Sequence, residues 1–174
     1  MDAARLWLLY LGLSMSLSRH PLTPKIEALG NVPLDRGVVV LLGASFRSVQ
    51  ARGGEFADKF YAQLFTAYPS VRAMFPADMT AQKSKLMDTL VAVIVHLSDP
   101  EANLHRLQEL GRRHKAYGAK PEHFPIVIDA MLIAMQEVAS PDWNKAVQEE
   151  WRRALNLVAE VIIKAGQDVP KSDR

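Results

Sequence analysis

The sequence predicts an all-α fold on three observations. Apolar residues recur at helical spacing through most of the chain, and proline, glycine and capping residues punctuate these stretches. Period-two alternation is confined to the short run Val38 to Val40, so no sheet is expected. With 174 residues, 49% of them apolar, the chain is long enough to bury one sizeable core and short for two full domains.

The elements follow in order. Residues 1–35 read as an extension, first the apolar run "RLWLLYLGLSMSLS" and then "RHPLTPKIEALGNVPLD", whose three prolines resist regular structure. The apolar run falls short of the ~20 residues of a spanning helix. It has the length of a signal-peptide core, but the start "MDAAR" lacks the positive charge of an export signal and only "SMS" resembles a cleavage site. A cytoplasmic protein is therefore expected, with export as the weaker alternative. The folded domain is expected over 36–166, with 167–174 a polar tail. Within it, "VVVLLGASFRSVQAR" supplies a first helix. "GGEFADKFYAQLFTAYP" supplies a second, starting after the paired glycines and stopping at Pro69. "TAQKSKLMDTLVAVIVHL" begins at a Thr80 cap and carries the stripe Leu86, Leu90, Val93 and Leu97. Pro121 opens a helix with Phe124, Val127, Ile128, Met131, Leu132, Met135 and Val138, apolar around much of its circumference. Ser140 as cap and Pro141 at the first position open the last, with one stripe from Trp143 through Val147, Trp151, Ala154 and Val158 to Ile162.

Composition narrows the chemistry. Lys plus Arg exceeds Asp plus Glu by 21 to 19 and the two signs alternate, so a nucleic-acid partner has little support. The absence of cysteine excludes disulfides, thiolate catalysis, zinc fingers and iron–sulfur ligation. No nucleophile elbow, phosphate-binding glycine loop or HExxH occurs. His96, His105, His114 and His123 stand nine residues apart, which puts successive ones on different faces of a helix. A protein-only metal site is thus not expected, no catalytic residue is assigned, and His96, at the polar margin of its helix, is read as structural. A metal would be held inside a cofactor.

One histidine differs from the rest. In "LQELGRRHKAYG", Leu107, Leu110, His114 and Tyr117 share one side of a helix, whereas Arg112 and Lys115 point away. A histidine in an apolar stripe is more often a hydrogen-bonded core residue than a ligand. Here Leu107, Leu110 and Gly111 offer a flat surface beside the imidazole, and Arg112, Arg113 and Lys115 are placed to reach peripheral carboxylates, a description that fits a porphyrin with two propionates and an axial imidazole. Each cation alone is equally well explained as a solvated helix end.

This segment resembles the proximal histidine segment of globins, close to bacterial single-domain globins and the haem domains of flavohaemoglobins. Further landmarks follow the family's spacing: Tyr61 in "KFYAQLF", Phe75 in "YPSVRAMFP", Gln82 and Leu86 in "QKSKLMDTL", and the last two helices "HFPIVIDAML" and "EEWRRALNLVAEV". The likeness runs from about Phe46 to Gly166. It implies a three-on-three globin fold, helices crossing mostly at ~50° around a haem pocket. It implies non-covalent haem b, since no C-x-x-C-H exists, with His114 as axial iron ligand and Phe75, Leu86, Leu110, Arg113, Tyr117 and Lys85 against the porphyrin. Tyr61 and Gln82 then face the gas ligand, where a phenol O–H and an amide N–H suit an oxygen that acquires partial negative charge. Taken apart from the resemblance, Tyr61 reads as a core tyrosine bonded to a backbone carbonyl and Gln82 as a surface residue.

Two departures bear on function. Flavohaemoglobins surround the axial histidine with a tyrosine and a glutamate; by ungapped spacing those positions are Phe124 and Gly166, so the imidazole's partner is expected to be backbone or water. Only "QDVPKSDR" follows Gly166, so an electron donor is expected to be a separate reductase, and a gas sensor with an appended output module ranks last. A reversible oxygen carrier, store or scavenger ranks first and a nitric oxide dioxygenase second. The expected partners are oxygen and nitric oxide, with no nucleic acid and no stable membrane span.

Overall fold

The structure is a computed structural model that describes residues 35–98, 100–139 and 143–167, with side chains placed outside 95–103. The apolar run, the proline-containing stretch up to residue 34, the tail beyond 167 and the side chain of His96 lie outside the described residues. Among the described residues there are six α-helices and no strand: α1 (Arg36–Ala51), α2 (Gly53–Ala67), α3 (Thr80–Ser98), α4 (Pro100–Ala116), α5 (His123–Val138) and α6 (Lys145–Gln167). A 3-10 turn (Pro69–Met74) joins α2 to the approach of α3.

Helix starts differ from the sequence expectation wherever a short polar side chain competes for the cap. Asp35 opens α1 by accepting the Gly37 N–H at 2.7 Å. The paired glycines lie inside the first turn of α2 rather than before it. Thr80 is the first residue of α3, not its cap; its N–H donates to Asp78 Oδ1 at 2.9 Å. Pro121 sits in a turn, and α5 begins at His123. Ser140 and Pro141 lie outside the described residues, Trp143 is not helical, and Asn144 caps α6 by accepting the Val147 N–H through Oδ1 at 3.1 Å. At α1, α3 and α6 an Asp or Asn oxygen accepts a first-turn N–H, whereas α2 and α5 start without a side-chain cap.

The contacts order the helices into two rows, α1–α3–α4 and α2–α5–α6, crossing each other where α4 meets α6, α2 meets α3 and α1 meets α6. The most extensive pairings are α4 on α6 and α2 on α5. Both follow from sequence: α5 is apolar on most sides and buries Ile128, Met131, Leu132, Met135 and Val138, while α6 buries the stripe Val147, Trp151, Ala154, Val158 and Ile162. Trp151 is fully buried, and its indole N–H donates to Ser45 Oγ at 2.9 Å, which in turn donates to the Leu42 carbonyl at 3.0 Å. The polar atom that so large an apolar side chain brings inside is thereby satisfied.

The core is divided. A large cluster runs through α1, α2, α3, α5 and α6; a small one joins Val93 of α3, Leu107 of α4, and Val158 and Ile162 of α6. Phe124, at the start of α5, is half-buried and packs against both. His114 lies beside this junction.

Candidate functional site

The segment carrying His114 is the last turn of α4. The helix ends there because Gly118 adopts φ 83°, a left-handed conformation that costs glycine least, and the Ala119 N–H closes back onto the His114 carbonyl at 2.9 Å. Within the turn Leu107 is buried and Leu110, His114 and Tyr117 are half-buried, whereas Arg112 and Lys115 are exposed. The expected stripe is therefore the inward face.

The His114 ring is held by its own helix. Nδ1 lies 2.8 Å from the Leu110 carbonyl oxygen. A carbonyl can only accept, so Nδ1 carries the proton and Nε2 keeps its lone pair. Burial, opposed by the Leu110 bond, lowers the imidazole pKa and favours the neutral ring. The Phe124 ring stands 6.0 Å away, centroid to centroid, at 35°. The expectation that backbone or water must serve the imidazole is met by Leu110.

This geometry has a pH consequence. A histidine whose folded pKa is depressed lets the unfolded chain bind the proton more readily than the folded one. In the haem-free chain, whose Nε2 is uncoordinated, stability is expected to fall as pH drops below about 6.5, the ordinary imidazole value, and to go on falling until the folded ring also protonates. Denaturant unfolding at a series of pH values checks this, with His114→Leu expected to flatten the profile.

Two residues stand differently from expectation. Gly111 does not offer its face to a planar ligand: it is buried against α6, where an added Cβ would lie 2.4 Å from the Ile162 carbonyl oxygen. Gly166 likewise packs on α4, with its hypothetical Cβ 3.2 Å from the Gly111 oxygen and 3.3 Å from Lys115 Cβ. It is a close-approach glycine, and a glutamate there would be driven into the α4 backbone. Sequence spacing could not separate a vacated acid position from a packing one.

Helices α2 and α3 bring Tyr61 and Gln82 together. Tyr61 is 5% exposed, and its O–H points to the Gln82 backbone carbonyl at 3.4 Å. That separation is long for an O–H···O bond. Burial pushes the phenol pKa up to about 12, with the Gln82 side chain pulling weakly the other way, so the hydroxyl stays a donor. Phe65 and Phe75 surround the ring at 5.7 and 5.6 Å, and lie 5.3 Å from each other. Arg72 fixes this group: Nη1 donates to the Phe75 and Pro76 carbonyls, each at 3.1 Å, and the guanidinium stacks 5.2 Å from the Phe65 ring. Phe75 and Leu86 are half-buried against the large cluster, and Leu110 against the small one.

The cations have protein partners. Arg112 and Arg113 both bind Glu109, at 2.9 and 3.1 Å. Burial raises the Glu109 pKa, but the two arginines outweigh it and hold the carboxyl below its usual value. This pairing, one turn behind Arg113, was not foreseen. Lys85 is half-buried, and desolvation lowers its pKa.

The donor set fits a haem iron. One neutral imidazole presents Nε2 among half-buried apolar side chains, and among the described residues no three His, Asp or Glu side chains cluster to hold a metal by themselves. Among those residues, too, no helix is long and apolar enough to cross a membrane.

Comparison with known proteins agrees. Residues 58–162 match the Globin family profile. The chain is 27% identical over 143 residues to a flavohemoprotein of Bacillus subtilis, covering 78% of this chain and 35% of that protein. It thus spans about a third of that relative's length. Among solved structures, a bacterial globin from Campylobacter jejuni superposes with a TM-score of 0.68 at 20% identity, covering 76% of this chain and 96% of that one. An engineered carbene transferase derived from a Rhodothermus marinus protein assigned as a nitric oxide dioxygenase superposes at 0.69 and 23% identity, covering 77% and 94%. The two rows of helices, the half-buried histidine at the end of α4 and these matches have one conclusion: the chain belongs to the globin family, which implies a haem group and a gaseous ligand.

Proposed function

We propose that this globin binds oxygen reversibly through non-covalent haem b, as a carrier, store or scavenger. His114 is the axial ligand; Phe75, Leu86, Leu110 and Tyr117 form the apolar wall; Arg113 and Lys85 meet the propionates; Tyr61 and Gln82 face the gas. The observation that carries this reading is the imidazole geometry, Nδ1 fixed to Leu110 O at 2.8 Å in a neutral ring, which leaves Nε2 to coordinate. Attachment is non-covalent because the chain has no cysteine for a thioether bond.

Bound haem would supply a ferrous iron able to take a diatomic gas. The chain supplies the rest. Leu110 orients His114, Phe124 stands beside the ring, and Tyr61 offers a proton donor whose present bond to Gln82 O is long enough to give up. Arg113 can turn from Glu109 to an external carboxylate at small cost, since both groups are part-exposed.

A second reading, a nitric oxide dioxygenase served by a separate reductase, is favoured by the likeness to a flavohemoprotein and to the Rhodothermus protein. One experiment separates them: nitric oxide consumption under oxygen with a reductase supplied, set against the oxygen dissociation rate. Slow dissociation with a single turnover supports the oxygen binder. Sustained conversion to nitrate establishes the enzyme.

A further inference from the structure

Helices α4 and α6 approach closely at Gly111 and Gly166. A Cβ on Gly111 would lie 2.4 Å from the Ile162 oxygen and 2.8 Å from Ala165 Cβ, closer than non-bonded atoms approach. Gly166 answers from the other side, where a Cβ would lie 3.2 Å from the Gly111 oxygen. A glycine inside a helix is less favourable than alanine, so its use here lies in the approach it permits.

The contact falls on the atoms that hold His114. The Gly111 Cα lies at this crossing with α6, and the oxygen of the peptide that joins it to Leu110 is the one that lies 2.8 Å from His114 Nδ1. One rigid, planar unit is thus clamped against a neighbouring helix at one end and orients the imidazole at the other. A side chain on Gly111 must push α4 off α6 or tilt that peptide, and either changes the Nδ1–H···O geometry. The strength of this bond governs how strongly an imidazole donates to a metal.

We infer that Gly111 is a positioning residue for His114: by letting α4 rest directly on the Ile162 carbonyl of α6, it fixes the peptide whose oxygen aims the ring. This rests on the reading of His114 as iron ligand. It goes beyond that reading by placing the control of the ligand's orientation in a helix crossing rather than in a side-chain partner. Phe124 and Gly166, which have no side-chain donor or acceptor to offer, leave that task to the backbone.

The test uses the full-length, haem-loaded protein. Gly111→Ala is expected to shift the iron–histidine stretching band of the ferrous form and to speed amide exchange in α4 by about tenfold or more, with α2 unchanged. Gly166→Ala, which meets a milder contact, is expected to shift the band in the same direction by less. Gly43→Ala, with nothing within 4 Å of the new Cβ, is expected to change neither. A lowered melting temperature and faster α4 exchange with the band unmoved would reduce Gly111 to packing and overturn the inference. Should Gly111→Ala not fold, Gly166→Ala decides: an unmoved band overturns it. If His114→Ala keeps the wild-type band, the axial reading fails and the inference that rests on it fails with it; if His114→Ala loses the band while Gly111→Ala leaves it unmoved, the inference alone is overturned.

Discussion

His114→Ala is expected to leave the purified protein almost free of haem. The substitution removes the only imidazole that the described residues place, neutral and with Nε2 available, beside the junction of the two core clusters. What remains to hold a porphyrin is apolar contact with Phe75, Leu86 and Leu110 and part-exposed cations, of which Arg113 already has Glu109. Losing only the hydrogen-bond partner of a metal ligand costs about ten- to hundredfold in affinity; losing the ligand is expected to cost at least about a hundredfold. The ratio of Soret to protein absorbance measures it directly. Addition of free imidazole separates ligation from collapse of the fold: the space left by the ring is expected to admit it and restore haem uptake. Full occupancy with an unchanged ferrous spectrum would remove the axial role.

Much of the fold was legible because its signals are local and redundant. The stripes of α5 and α6 are long, and each buried position they predict from Phe124 onward is either buried or packed against the core. The helix starts were less legible, because a cap is a single hydrogen bond: Asp78 and Asn144 compete with Thr80 and Ser140 at a distance of a few residues, and residue type hardly ranks them. The site divides in the same way. The inward face of His114 follows from spacing within one helix. That Gly111 meets Ile162, that Gly166 meets Gly111, and that Arg113 pairs with Glu109 depend on which faces of α4 and α6 meet and on rotamer choice. The Leu110 carbonyl could not be read at all, since every residue has one.

The second large effect is expected on the gas side. Tyr61→Phe removes one donor and keeps the ring, so the contacts with Phe60, Phe65 and Phe75 at 4.8, 5.7 and 5.6 Å persist and the change isolates the hydroxyl. That hydroxyl is buried and its pKa lies near 12, so it is protonated at any working pH. Its bond to the Gln82 carbonyl, at 3.4 Å, is too long to compete well with a charged acceptor. An oxygen molecule bound to ferrous haem would carry partial negative charge, and a hydrogen bond to such a group contributes about 1.5–3 kcal/mol. Oxygen is therefore expected to escape about ten- to hundredfold faster from Tyr61→Phe. Carbon monoxide, which carries less charge as a ligand, is expected to respond much less. Gln82→Leu is expected to act in the same direction, and the double variant to fall short of additivity if both donors serve one ligand atom. Flash photolysis and stopped-flow exchange measure both gases. Equal acceleration of the two would point to a steric gate made by the Tyr61, Phe65 and Phe75 rings. No change in either would mean that Tyr61 stays with the Gln82 carbonyl when haem is bound, as the core tyrosine its burial alone describes, and oxygen retention would then have to come from elsewhere in the pocket.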